Sequence, residues 1–168
     1  MQVPPEVVRY LKGTTTQGRQ FDFLIGQWDV QATRYRPDGS VLLNYRAAWS
    51  AQYLNDGRMV MDDFKAYAPT GEVISSFVTL RTYSEVTGRW EMQGLAALQP
   101  AVVAEWYGHW HDGEMRLDAI GKTPQGATVK TKIRFFHIQA KQFEWESKMS
   151  VDDDVTWMRV ASLTANRV

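Results

Sequence analysis

At 168 residues, with 44% hydrophobic and 23% charged side chains, the sequence has the composition of one globular domain and too little length for two independent cores. Its 19 basic and 19 acidic residues cancel to a formal charge of zero, which removes any net electrostatic pull toward nucleic acid or an anionic membrane surface. The chain has no cysteine, so disulfides, thiolate nucleophiles and zinc–thiolate sites are excluded, and catalysis or metal binding would fall to histidines, carboxylates or hydroxyls.

In chain order, "PPEVVRYLK" from Pro4 to Lys12 predicts a short helix, with proline at its start and apolar residues near helical spacing. Residues 1–20 thus read as an N-terminal helix and extension, and 21–168 as a single domain. No apolar run near the amino terminus is long enough for a signal peptide or a membrane span, which predicts a cytoplasmic protein. From "FDFLIGQWDV" at Phe21 onward the pattern is that of strands. Seven Trp, seven Tyr and seven Phe recur in segments of alternating polarity. Turn signals such as "PDGS", "NDGR", "PTGE", "EVTG" and "HDGE" divide the rest of the chain into ten strands. They begin near Trp28, Val41, Arg58, Val73, Arg89, Val102, Glu114, Ala127, Phe143 and Val155. Links this short force antiparallel neighbours, since a parallel crossover needs a dozen or more residues. The expected fold is all-β: a ten-stranded antiparallel meander closed into a barrel, which removes the bare edges and leaves an interior wide enough for a small molecule.

Alternation along the strands selects the interior. In "ATVKTKIRFFHI" the cations Lys130, Lys132 and Arg134 mark the wet face and turn Val129, Thr131, Ile133, Phe135 and His137 inward. The same rule turns Trp90, Met92 and Gly94 inward in "RWEMQGLA", Ala104, Trp106, Gly108 and Trp110 in "AVVAEWYGHWH", and Phe143, Trp145, Ser147 and Met149 in "FEWESKMS". Tryptophans interleaved with glycines imply room left beside large walls.

The Gly-x-Trp of Gly26 to Trp28, at the start of the first strand, resembles the signature of lipocalins and the wider calycin group. The resemblance implies that Trp28 closes one barrel end under an arginine of the last strand, for which Arg159 and Arg167 are the candidates. "FDFLIGQWDV", "LNDGRMVMDDF" and "RTYSEVTGRW" together look like a bacterial family of lipocalin-like domains of unknown function, and this likeness extends over most of the chain. It supports a fold more than an activity. If the Trp28 end is closed, as the resemblance implies, the mouth lies at the opposite end, and His109, His111 and His137 gather at the closed one. Related ten-stranded barrels, the nitrobindins, bind haem through a histidine near the carboxyl terminus. "VTWMRVASLTANRV" has none, so neither haem nor another cofactor is expected.

Chemistry has two candidate carriers. In "VMDDF" one of two adjacent aspartates must point inward. Asp63, in phase with Met59 and Met61, is expected there, either as an ion pair with Arg46 of the preceding strand or as a perturbed acid or base facing a ligand. His137 is the second, in an acid or base role. A three-histidine metal site fails on parity, because His109 and His111 are expected outside, and no metal site is predicted. The expected function is enclosure of a small hydrophobic or aromatic metabolite by Arg46, Met61, Asp63, Trp90, Met92 and Trp106, together with Trp110, Phe135, His137 and Trp145. The alternative is a cofactor-independent isomerase, cyclase or lyase that uses Asp63 or His137. A third reading makes the outward aromatics around Tyr107 a homodimer surface. No nucleic acid or membrane partner is expected.

Overall fold

Ten antiparallel strands follow one another around a single closed wall in the computed structural model, which describes residues 4–5, 14–98, 103–123 and 125–168. They are β1 (Gly26–Tyr35), β2 (Val41–Leu54), β3 (Met59–Tyr67), β4 (Val73–Ser84) and β5 (Arg89–Ala96), then β6 (Val103–His111), β7 (Glu114–Lys122), β8 (Thr128–Phe136), β9 (Gln142–Ser150) and β10 (Met158–Arg167). Each pairs with its sequence neighbours, and β1 pairs with β10 in the register Trp28 to Arg167, so no edge is left open. The ten-stranded meander barrel expected from the turn spacing is therefore the fold. Asp112 and Gly113, both at positive φ, make the two-residue link from His111 to Glu114 that a type I′ hairpin requires. The last strand starts at Met158, three residues beyond the expected Val155, because Asp152 accepts hydrogen bonds from Ser150 and Thr156 and extends the turn. Of the helix expected over Pro4 to Lys12, all but Pro4 and Pro5 lies outside the described residues.

Before β1 the chain makes two 3-10 turns, Gln17–Arg19 and Asp22–Leu24, that plug the Trp28 end. Phe21 and Leu24 are fully buried, and Phe21 sets its ring edge-on to Trp90 with 4.7 Å between centroids. Trp90 Nε1 donates to Gln20 Oε1 at 3.0 Å, and Trp28 Nε1 donates to the carbonyl of Leu24 at 2.7 Å. Arg167 is the arginine that covers Trp28, its Cζ 4.2 Å from the ring centroid. The other candidate, Arg159, lies instead over Tyr35 on the outer wall. Gly26 has φ +125°, and a Cβ there would stand 2.4 Å from Arg167 Nη1. Glycine at this position therefore serves both the backbone turn and the seat of the arginine.

Trp28→Ala should lower stability by about 3–5 kcal/mol through loss of a buried aromatic. Gly26→Ala should also destabilise, and by less when combined with Arg167→Ala, because the crowded partner is then gone. Urea midpoints of the single and double variants check this; strictly additive losses would mean that Gly26 does not serve Arg167.

Candidate functional site

The plug fills the barrel interior at the Trp28 end. Above it four rings, Phe143, Phe135, Trp49 and Phe64, cross the interior in a layer with neighbouring centroids 5.4 to 5.8 Å apart. Next to them lies a buried ion pair. Asp62 on β3 is 0% and Arg81 on β4 is 4% exposed, and Arg81 Nε donates to Asp62 Oδ2 at 2.6 Å. Trp49 Nε1 donates to Asp62 Oδ1 at 2.9 Å, so both carboxylate oxygens are engaged. The guanidinium packs against two rings, 4.7 Å from the centroid of Phe21 and 5.9 Å from that of Phe135, and Nη1 donates to Met92 Sδ at 3.2 Å.

Over this base lies a cavity of about 340 Å³, within the range of small-molecule sites. Its aromatic walls include Tyr45, Phe77, Trp106 and Trp145, and its polar groups include Thr79, Arg81, Thr131 and Ser147. The volume comes from small residues beside large ones: Gly94 pairs with Thr79 and Ala96 with Phe77 across β4 and β5. At the far rim β1 and β10 are both irregular, with register shifts at Arg34/Tyr35 and Arg159/Ala161, and Arg34, Val160 and Ala161 all reach the cavity there. Burial pushes the Tyr45 phenol up from its usual pKa, and the Arg34 guanidinium beside it offsets part of that rise. A larger hollow of about 1140 Å³ runs along the outer wall past Asp29, Gln31, Asn44 and Arg46, but it is an open groove of mixed polar and apolar lining.

Several expected site residues lie elsewhere. Asp63, Met61 and Arg46 are on the outer face, and Arg46 donates from Nη2 to both oxygens of Asp29, at 2.9 and 2.8 Å, instead of reaching Asp63. The phase of β3 is set by Val60, Phe64 and Ala66, all buried, which turns Asp62 inward and leaves Asp63 in phase with exposed Lys65. His137 does not continue the inward row of β8. That strand ends at Phe136, and His137 takes φ +48°, leaving its side chain 71% exposed with Nδ1 3.2 Å from Glu144. Trp106, Phe135 and Trp145 line the cavity; Trp90 and Met92 lie beneath it, at the plug and against Arg81, and Trp110 is half exposed beside Phe23. His109 is exposed and His111 pairs with Asp112 at 2.9 Å. Among the described residues no three His, Asp or Glu side chains converge on a point where a metal could sit. Outward Tyr107 is covered by Arg89, 3.7 Å above its ring.

The fold and the pocket define a closed ten-stranded antiparallel meander barrel with an interior cavity. Neither a family model nor a curated protein matches the chain. Among solved structures it is similar to Rv2717c from M. tuberculosis, with a TM-score of 0.61 and 10% identity over 99% of each chain. It is also similar to the S-type phycobiliprotein lyase CPES from Guillardia theta, with a TM-score of 0.63 and 12% identity over 95% of this chain and 96% of that one. At such identities the likeness is one of fold. No helix among the described residues is long and apolar enough to cross a membrane.

The buried pair gives a stability test. Asp62→Ala should cost about 3–5 kcal/mol because it strands the Arg81 charge, whereas Asp62→Leu combined with Arg81→Met should recover most of that loss. Equal losses in the two variants, measured by chemical denaturation, would mean that Arg81 finds another partner.

Proposed function

We propose that the protein binds a small hydrophobic or aromatic molecule inside the barrel, and that it acts as a binder, not as a catalyst. The observation that carries this reading is the cavity of about 340 Å³, walled by Trp106, Trp145 and Tyr45 and closed below by the plug. Its boundary is mainly apolar, with a few polar groups able to orient an occupant, which is the usual chemistry of small-molecule sites. A catalytic role would need a free acid or base facing the occupant. Asp63 and His137 are on the outside, and inward Asp62 already has both oxygens in hydrogen bonds to Trp49 and Arg81. The "FDFLIGQWDV" opening supports placing the chain beside bacterial lipocalin-like domains, and we extend the proposal to a cytoplasmic carrier of that kind. The patch around Tyr107 is covered by Arg89, so the proposal concerns the barrel of a single chain.

Gly94 provides the experiment. It lines the cavity with a backbone that any residue can adopt, and a Cβ there would meet only Thr79 Oγ1 and the Val78 carbonyl, both at 3.8 Å. Gly94→Leu should therefore fill the cavity without straining the wall. Purified wild-type protein in native mass spectrometry should carry a small molecule, or take up naphthalene with quenching of interior tryptophan fluorescence. The variant should keep its melting temperature and lose affinity at least about tenfold. An equally tight variant would place binding outside the barrel and overturn the reading.

A further inference from the structure

The ionisable side chains in and under the cavity do not balance. Asp62 and Arg81 neutralise one another at the base. Arg34, at the rim, adds a second positive charge to the same cavity. No carboxylate among the described residues forms an ion pair with it, whereas Arg36, two residues on, donates to Ser40 and to the Val41 carbonyl. On the adjoining strand Tyr45, paired with Ala32, lines the same cavity. Its burial keeps the phenol protonated, as a donor. A guanidinium and a phenol together offer hydrogen-bond donors and an uncompensated positive charge, the complement of an anionic acceptor.

The depth of the cavity decides which way such an acceptor points. At the base an anion would have to shed its hydration to meet Arg81, whose charge Asp62 already neutralises. At the rim it meets Arg34 while keeping part of its hydration. The base suits a neutral acceptor instead: among the described residues Arg81 donates through Nε and Nη1 only, which leaves Nη2 without a hydrogen bond, and the Thr79 hydroxyl is close by on the same strand. Between rim and base the walls are aromatic.

Building on the binding reading above, we propose that the natural ligand is a small aromatic carboxylate, its rings seated against Trp106 and Trp145 and its carboxylate at the rim on Arg34 and Tyr45. Naphthoate and its neutral isostere naphthamide are the probes. By titration calorimetry, wild-type protein should bind naphthoate at least about tenfold more tightly than naphthamide, the size expected of a charge-assisted contact. Added salt should weaken naphthoate alone. Arg34→Gln, at an exposed rim position, should keep the melting temperature and weaken naphthoate far more than naphthamide, erasing the preference, and Tyr45→Phe should erase part of it. Equal affinities in the wild type, or a preference that survives Arg34→Gln, would overturn the carboxylate assignment and leave barrel binding standing. Failure of both probes to bind would overturn the two together.

Discussion

The guanidinium of Arg167 ties together three parts of the chain that are distant in sequence: residues 23–28, the turn at Ala140 and its own last strand. It lies flat on Trp28 of the first strand and donates to the carbonyls of Phe23 and Ile25 in the plug, and to that of Ala140 in the turn between β8 and β9. A contact between a cation and an indole face contributes about 0.5–2 kcal/mol, and three hydrogen bonds to carbonyls fix its position. Because Arg167 is the last residue of β10 and pairs with Trp28, the contact also sets the register at which the barrel closes. Closure at that register brings the plug under the wall. Gly26 follows from the same constraint, since any larger residue would compete with the guanidinium for its place.

Between plug and cavity the chain spends a buried ion pair where apolar side chains would be less costly. Desolvating Asp62 and Arg81 is unfavourable, and their attraction offsets that cost only because every contact is well placed: both carboxylate oxygens have donors, and the guanidinium packs against the rings of Phe21 and Phe135. What such a pair supplies beyond stability is position. An apolar layer at this depth could slide or repack, whereas a guanidinium aligned to one carboxylate holds Phe21 below and Phe135 beside it in one arrangement. The base of the cavity is thereby fixed at a definite height above the plug.

Most of the barrel could be read from the sequence, because turn residues mark the strand ends and short links permit only antiparallel neighbours. Trp106, Phe135 and Trp145 followed from alternation against charged neighbours on their own strands. The site was less legible where alternation gives no contrast. "MVMDDF" presents Met59, Met61 and Asp63 on one face and Val60, Asp62 and Phe64 on the other, so both faces carry apolar residues and one carboxylate. Extending the strand by two residues separates them, since Lys65 shares a face with Asp63 and Ala66 with Asp62. His137 failed for another reason: alternation holds only while the strand lasts, and a single residue at positive φ ends it. Arg34 and Arg81 carry no local signal of inward direction, because an arginine in a strand ordinarily marks the wet face.

β4 shows how a cavity differs from a core in sequence. Its inward row is Ser75, Phe77, Thr79 and Arg81, while the outward row contains Ile74, Val78 and Leu80, the last two 38% and 40% exposed. By the usual rule that strand would be turned around. Its orientation is fixed instead by pairing: Arg81 stands opposite Val60 and Met92, both inward residues, so the closed ladder settles the direction that polarity alone would reverse. A wall that is more polar inside than outside is unfavourable around a packed core, where each hydroxyl would need a partner. It is consistent around a space that admits a guest with hydrogen-bonding groups of its own. Inverted polarity on this one strand is thus the sequence feature that agrees with the binding proposed for the interior.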